Sequence, residues 1–364
     1  MLRKKKSFIL VLKRNILYGV TVWLMVMLTL SSKKTLPAAN DALIICAKNI
    51  IPSLFPFFVL SQILIKSGFA TVCGKVLSPL MRKLFKVSGA GGVAFLIGII
   101  SGYPMGAKTV CDLYEDGSLG KNEAERLIPY CNNSGPLFII GAVGTGMMGS
   151  PEIGIFLYVI HIFSALVTGF VLRFFEKDEK QAVVKMRRSV TVCGSLGEIF
   201  SQSVKDAVSS ILYVCGFVVF FAVLTAPMFS DGIKTVAESI LMGILEVTSG
   251  AQSIIRNCNM ESALPIISGL IGMGGICVAL QVMGIVKASG LSMKNYIFGK
   301  IQHGILSFFI CTVLLKRMSF VSTFKPQNVI NFETGNFGAT VTSVFVICAF
   351  YFFVLALRKN FKKD

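Results

Sequence analysis

The chain has 364 residues, of which 54% are hydrophobic and 15% are charged, and its mean hydropathy is +0.74. Soluble domains carry about 25% charged residues, so the composition excludes an ordinary soluble protein and indicates an integral membrane protein. The formal net charge of +18 would suit a nucleic-acid-binding protein, but no basic surface with interleaved aromatic residues is visible, and no nucleic-acid partner is expected.

The basic residues lie in short clusters beside the apolar runs. This distribution is typical of cytoplasmic loops and of attraction to anionic lipid headgroups. It predicts that the N-terminus, the 176–190 loop and the C-terminus lie in the cytoplasm. The clusters are Arg3–Lys6, Lys13–Arg14, Arg82–Lys86, Lys177–Arg188 and Arg358–Lys363.

Residues 1–31 combine a basic start with an apolar run, as a signal sequence does, and residues 37–39 resemble a weak cleavage site. We interpret the run as an uncleaved first span, because it is long and further spans follow it. Seven apolar segments approach the roughly 20 residues that cross a bilayer core. They are 16–30, 50–65, 153–175, 207–229, 264–286, 296–315 and 338–357.

Three further segments are shorter or rich in glycine, namely 89–107, 135–149 and 239–255. They predict broken helices or re-entrant hairpins, which point to a transporter's binding site. The sequence therefore predicts an all-α polytopic integral membrane protein with about 8–10 hydrophobic segments.

The order of the segments predicts two similar halves, each with two interrupted segments, as in secondary transporters. The expected divisions are an N-terminal span (1–35), a first half (40–175), a cytoplasmic linker (176–198), a second half (199–357) and a basic cytoplasmic tail (358–364).

Ser101, Tyr103 and Lys108, with glycine and proline among them, interrupt the first of these segments. Non-helical backbone at membrane depth is tolerated only where protein buries it or where it lines a watery cavity. We therefore interpret these three residues as candidates for substrate binding. Lys108 either neutralises an anionic substrate or extends its ammonium to the cytoplasmic interface.

Asn132, Asn133, Ser134 and Gly135 precede Pro136, which breaks a helix. In one interpretation they form a hairpin tip that presents amide and hydroxyl groups to a substrate. A half-helix would follow, and its N-terminus favours anions. In the other interpretation they form a loop outside the membrane, where the same residue types are common.

Glu246 lies near the middle of an apolar segment and is followed by Thr248 and Ser249. A carboxylate at membrane depth is costly and usually faces a cavity, a partner or an ion. It predicts a contact with a coupling cation, a proton or the substrate. The alternative is a structural pair with an intramembrane cation such as Lys108.

Ten cysteines are scattered without a C-x-x-C pair, and His161 and His303 lack metal-ligand neighbours three or four residues away. The sequence therefore predicts no metal site and no cofactor other than a coupling H⁺ or Na⁺. No nucleophile–base pair is evident either, so we expect no enzyme activity. The expected partners are the lipid bilayer and a small solute, and a homo-oligomer is compatible with the sequence.

Several stretches resemble the family of the sporulation integral membrane protein YlbJ. They are SGYPMGAK at 101–108, EAERL at 123–127 and NNSGPLFI at 132–139, and the stretch 246–250 fits a second gate-like half. That family carries a nucleoside-recognition Gate domain and is distantly similar to concentrative nucleoside transporters.

The resemblance implies a role in endospore formation, in which the protein moves dipicolinic acid, a small dianion, across the outer forespore membrane. The candidate site residues suit such an anion but do not identify it. Two alternatives remain open: a nucleoside transporter, and a membrane scaffold or gate that transports nothing.

Overall fold

The computed structural model describes residues 2–175, 195–229, 233 and 235–317, and all regular structure within these ranges is helical. The predicted all-α membrane fold is confirmed. The α-helices are α1 (Leu2–Leu30), α2 (Ser32–Ile45), α3 (Ile51–Lys66), α4 (Phe69–Phe85), α5 (Gly89–Ser101), α6 (Met105–Glu115), α7 (Lys121–Cys131), α8 (Pro151–Leu172), α9 (Leu196–Thr225), α10 (Val236–Leu245), α11 (Val247–Asn257), α12 (Met260–Met273), α13 (Gly275–Ala288) and α14 (Lys294–Arg317). Two π-helices, Cys46–Ile50 and Leu137–Met147, and a short 3₁₀ turn, Arg173–Phe175, complete the list.

By length and composition, four helical segments of the described chain can cross a membrane, or six if each of two bent pairs is one span. The four are Pro151–Phe175, Leu196–Thr225, Met260–Ala288 and Lys294–Arg317. The bent pairs are Arg14–Leu30 with Ser32–Lys48, at 93°, and Cys73–Phe85 with Gly89–Ser101, at 92°.

The three weaker apolar segments are interrupted or irregular, as the sequence predicted. The first is broken between α5 and α6, the second is the π-helix Leu137–Met147, and the third is broken between α10 and α11. The segment 264–286, which the two-half pattern predicts as the second interrupted segment of the second half, is also broken, because α12 ends at Met273 and α13 begins at Gly275. Gly274 and Gly275 both have positive φ, a conformation that glycine adopts without steric cost and that ends a regular helix.

Two of the three hydrophobic cores meet on α8 and α14. The first core joins α4–α8 to α13 and α14, and the second joins the π-helix Leu137–Met147 and α8 to α11, α12 and α14. The third core packs α3 against α9. Because α8 and α14 belong to two cores, their facing surfaces lie at the centre of the described fold. The predicted span 338–357, the basic tail and most of the linker lie outside the described residues.

Candidate functional site

The two helix breaks of the first half lie against each other. Gly102, between α5 and α6, has φ of +78°, and a Cβ there would lie 2.8 Å from the backbone nitrogen of Gly135. A Cβ on Gly98 or on Gly106 would overlap the carbonyl oxygen of Cys131. Small residues on both sides of the first break therefore let α5 and α6 approach the end of α7 at backbone distance.

The Asn132–Ser134 segment is buried between these helices. Asn132 and Asn133 are each 0% exposed and Ser134 is 1% exposed, so the segment is not a loop on the surface. The Asn132 Nδ2 donates to the Tyr296 hydroxyl (3.3 Å), and the Asn133 Nδ2 donates to the Tyr130 carbonyl (2.6 Å). The Oδ1 atoms of both asparagines and the Ser134 hydroxyl are buried without a partner in the described part of the chain.

A lysine and two histidines lie directly behind this segment. The Lys300 Nζ donates to the Asn132 carbonyl (3.2 Å) and is 3.3 Å from the His303 Nδ1. The His303 Nε2 is 3.0 Å from the His161 carbonyl, and the Ser134 N–H donates to the His161 Nε2 (3.1 Å). The two imidazole rings lie with centroids 4.5 Å apart and are tilted by 31° relative to each other. This network connects both ends of the Asn132–Ser134 segment to α8 and α14.

The partners in this network also assign the tautomers of the imidazoles. The His303 Nε2 faces a carbonyl oxygen, so it carries the hydrogen and its Nδ1 accepts from Lys300. The His161 Nε2 accepts from a backbone N–H, so its Nδ1 carries the hydrogen. That Nδ1 is buried and has no partner within the described ranges, which leaves a hydrogen-bond donor available in the polar centre.

Sequence reasoning missed Lys300, His161, His303 and Tyr296. Lys300 and His303 are three residues apart, so they share one face of α14, and both lie within the apolar segment 296–315. The rule that drew attention to Glu246, an ionisable residue at membrane depth, applies equally to Lys300. The sequence analysis interpreted the histidines only as possible metal ligands, so it did not connect His303 with Lys300.

The residues predicted from the first interruption are placed differently from one another. The Ser101 hydroxyl bonds to the Ser61 hydroxyl of α3. The ring of Tyr103 packs against Phe138 with centroids 6.4 Å apart, and Tyr103 lies near Ser134 and Glu246. Lys108 forms an ion pair with Asp112 at 3.4 Å, and both side chains are about one-quarter to one-third exposed.

Glu246 lies at the break between α10 and α11 and caps α11. Its backbone is extended, and its carboxylate accepts from the N–H groups of Thr248 (2.8 Å) and Ser249 (2.7 Å). Acceptors at this position satisfy free N–H groups, and a negative charge there is favoured by the helix dipole. The alternative of a pair with Lys108 is not found, since Lys108 is bound to Asp112.

The break between α12 and α13 connects Glu246 to the polar centre. A Cβ on Gly275 would lie 3.2 Å from the carbonyl oxygens of Gly243 and Ile244, in the last turn of α10. A Cβ on Gly274 would lie 3.8 Å from the Cε of Lys300. Four helix breaks are therefore neighbours in series: the break between α5 and α6, the break after α7, the break between α12 and α13, and the break between α10 and α11. Lys300 lies between the second and the third of them.

Replacement of Glu246 by glutamine should destabilise the protein. A glutamine side chain has one acceptor oxygen instead of two, so one partly buried N–H of α11 loses its partner, at a cost of about 0.5–2 kcal/mol. Thermal unfolding in detergent measures this loss. The control is Glu198→Gln in the exposed capping box of α9, which should change stability by less than about 0.5 kcal/mol. An unchanged melting temperature for Glu246→Gln would contradict the capping role.

Comparison with known proteins finds two similarities. Residues 47–175 match the Gate family, which is described as nucleoside recognition. The chain is also 29% identical to the sporulation integral membrane protein YlbJ of Bacillus subtilis (strain 168), over 73% of this chain and 74% of the relative. The resemblance inferred from the sequence is thus confirmed. No solved structure matches.

The matched residues 47–175 contain both breaks of the first half, the Asn132–Ser134 segment and His161. Lys300, His303 and Glu246 lie outside it, on helices that pack against it. The polar centre is therefore shared between residues 47–175 and the C-terminal helices. The second gate-like half, expected at 199–357, stays a prediction.

Proposed function

We propose that the protein is a sporulation transporter that moves dipicolinic acid across the outer forespore membrane. The observation that carries this proposal is the convergence of four helix breaks on a buried centre whose polar atoms lack partners. The name of the Bacillus subtilis relative supports a membrane role in sporulation. We place the N- and C-termini in the cytoplasm from the distribution of basic residues.

The buried centre suits a polar solute in transit. In a bilayer, backbone groups released by a broken helix need other partners, and in many transporters such groups bind the substrate near the midplane. Here the free atoms include the Ser134 hydroxyl, the His161 Nδ1 and the Oδ1 atoms of Asn132 and Asn133. Leaving each of them unsatisfied costs about 1–3 kcal/mol, and a polar ligand removes that cost.

The charge of the centre favours an anion. Lys300 is only 4% exposed, and among the described residues its ammonium has no carboxylate within ion-pair distance. Dipicolinate offers two carboxylates on a flat pyridine ring. One carboxylate would bind Lys300, and hydroxyl and imidazole donors from Ser134 and His161 would hold the other parts of the ligand.

A nucleoside is the second candidate substrate, because the family that matches residues 47–175 is described as nucleoside recognition. The amides of Asn132 and Asn133 would serve base edges and ribose hydroxyls as well as carboxylates. A neutral nucleoside, however, offers no carboxylate to Lys300.

Uptake of labelled dipicolinate into proteoliposomes that contain the purified protein tests this function. We expect saturable uptake that an excess of uridine does not reduce. Inhibition by uridine would instead assign a nucleoside-type site. Folded protein that takes up neither compound would favour the non-transporting scaffold and contradict the proposal.

A further inference from the structure

Lys300 has as many hydrogen-bond acceptors as a neutral amine can serve. A neutral amine has two N–H groups, and two acceptors are in place, the Asn132 carbonyl at 3.2 Å and the His303 Nδ1 at 3.3 Å. An ammonium has three N–H groups. Within the described chain, the third hydrogen finds no acceptor, and Lys300 is only 4% exposed.

The helices around Lys300 provide no compensating negative charge. The carboxylates on α7 and α8 are bound elsewhere, because Glu123 accepts from the Ser88 N–H, Glu125 from the Ser292 N–H and Glu152 from the Ser150 hydroxyl. The carboxylate of Glu246 is occupied by two backbone N–H groups. The ionisable side chains on α7, α8, α12 and α14 are Lys121, Glu123, Glu125, Arg126, Tyr130, Cys131, Glu152, Tyr158, His161, Glu261, Lys294, Tyr296, Lys300, His303, Cys311, Lys316 and Arg317; Tyr103, Glu246 and Cys277 lie at the neighbouring breaks.

We propose that Lys300 is the proton-coupling residue of the transporter, and that it gains a proton when the anionic substrate binds and loses it when the substrate leaves. The inference rests on the proposed function. A buried ammonium without a counter-ion is unfavourable, and an adjacent carboxylate stabilises it. Binding of the anion and uptake of the proton therefore favour each other, as linked equilibria require.

The cycle follows from the same contacts. A proton from water binds the lone pair of the Lys300 amine, and the new N–H bond points at a substrate carboxylate. After the site opens to the other side, the anion leaves and the proton returns to water. The empty carrier then moves back with a neutral amine held by Asn132 and His303. This assigns the coupling proton to Lys300 in place of Glu246.

The substitution Lys300→Arg separates coupling from transport, because a guanidinium stays protonated in proteins. A permanently charged residue permits movement with the anion bound and opposes the return of the empty carrier. We therefore expect this variant to exchange internal for external dipicolinate, at a reduced rate, and to lose accumulation driven by a pH gradient. In the unmodified protein, a gradient of about one pH unit would drive about tenfold accumulation for each proton carried.

The matched control is Lys66→Arg, at a lysine that pairs with Asp206 at 3.0 Å and is about one-third exposed. It should retain both exchange and accumulation. Gradient-driven accumulation by Lys300→Arg would overturn the inference, whereas exchange without accumulation supports it and also shows that the variant is folded.

If Lys300→Arg loses exchange as well, a second measurement tests whether anion binding is linked to proton uptake. It is the uptake of protons by the unmodified protein in weakly buffered detergent solution when dipicolinate is added. Uptake of about one proton for each dipicolinate bound supports the inference, and binding without proton uptake overturns it. The proposed function fails separately, if the unmodified protein neither binds nor transports dipicolinate.

Discussion

The substitution Lys300→Met should reduce dipicolinate binding by about 30-fold or more, since removal of one partner of a buried charge pair costs about 2 kcal/mol or more. Methionine fills a similar volume and removes the ammonium. The Asn132 carbonyl and the His303 Nδ1 lose a donor at the same time. The dissociation constant of labelled dipicolinate for the purified variant measures the effect, and initial uptake rates in proteoliposomes should fall with it.

The matched variant for this experiment is Lys108→Met. Sequence reasoning proposed Lys108 as a cation for an anionic substrate, but its ammonium is paired with Asp112 and is partly exposed. We expect its substitution to change dipicolinate affinity by less than about threefold, the range of ordinary surface ion pairs. A large loss at Lys108 with little loss at Lys300 would place the counter-charge on α6 and contradict our assignment.

The substitution Gly98→Ala should destabilise the protein by about 1–3 kcal/mol, the usual cost of added volume in a close-packed interior. The new methyl group would overlap the carbonyl oxygen of Cys131. Because that oxygen belongs to the backbone, relief requires α5 and α7 to separate. The movement would displace Asn132, which follows Cys131 directly, so transport should decline together with the melting temperature.

The control is Gly216→Ala in the middle of α9, where a Cβ meets nothing within 4 Å. Alanine is favoured over glycine in a helix by roughly 0.5–1 kcal/mol, so this variant should be neutral or slightly more stable. Thermal unfolding of both variants in one detergent makes the comparison. Equal melting temperatures would show that the contact between α5 and α7 relaxes without cost.

Several features of the fold could be predicted because they depend on local chemistry. Long apolar runs predict helices that cross a membrane, and Gly102, Pro104 and Pro136 predict the breaks of the first half, since glycine and proline end helices for intrinsic reasons. An interruption of 264–286 was predicted, but its position at Gly274 was not, because glycines are also common within membrane helices. Only the positive φ of Gly274 and Gly275 reveals it.

The hydrogen-bond partners of Glu246 could not be predicted from the sequence. Its cost at membrane depth was evident from the sequence, but the sequence left open what compensates for it. In the structure, two backbone N–H groups of the next helix donate hydrogen bonds to its carboxylate and so compensate for that cost. The compensation depends on a helix ending at Leu245 and restarting at Val247, which the residue pattern does not specify.

By itself, the sequence determined that this is an α-helical membrane protein with interrupted segments, and that residues 132–134 lie at one of them. Only the tertiary structure decided which side chains meet there. Lys300 lies 168 residues from Asn132, and His161 lies 142 residues from His303. No periodicity or spacing encodes such distances, because they result from the packing of α8 and α14 against α7. The position of a buried lysine beside two histidines and the Asn132–Ser134 segment is therefore a property of that packing.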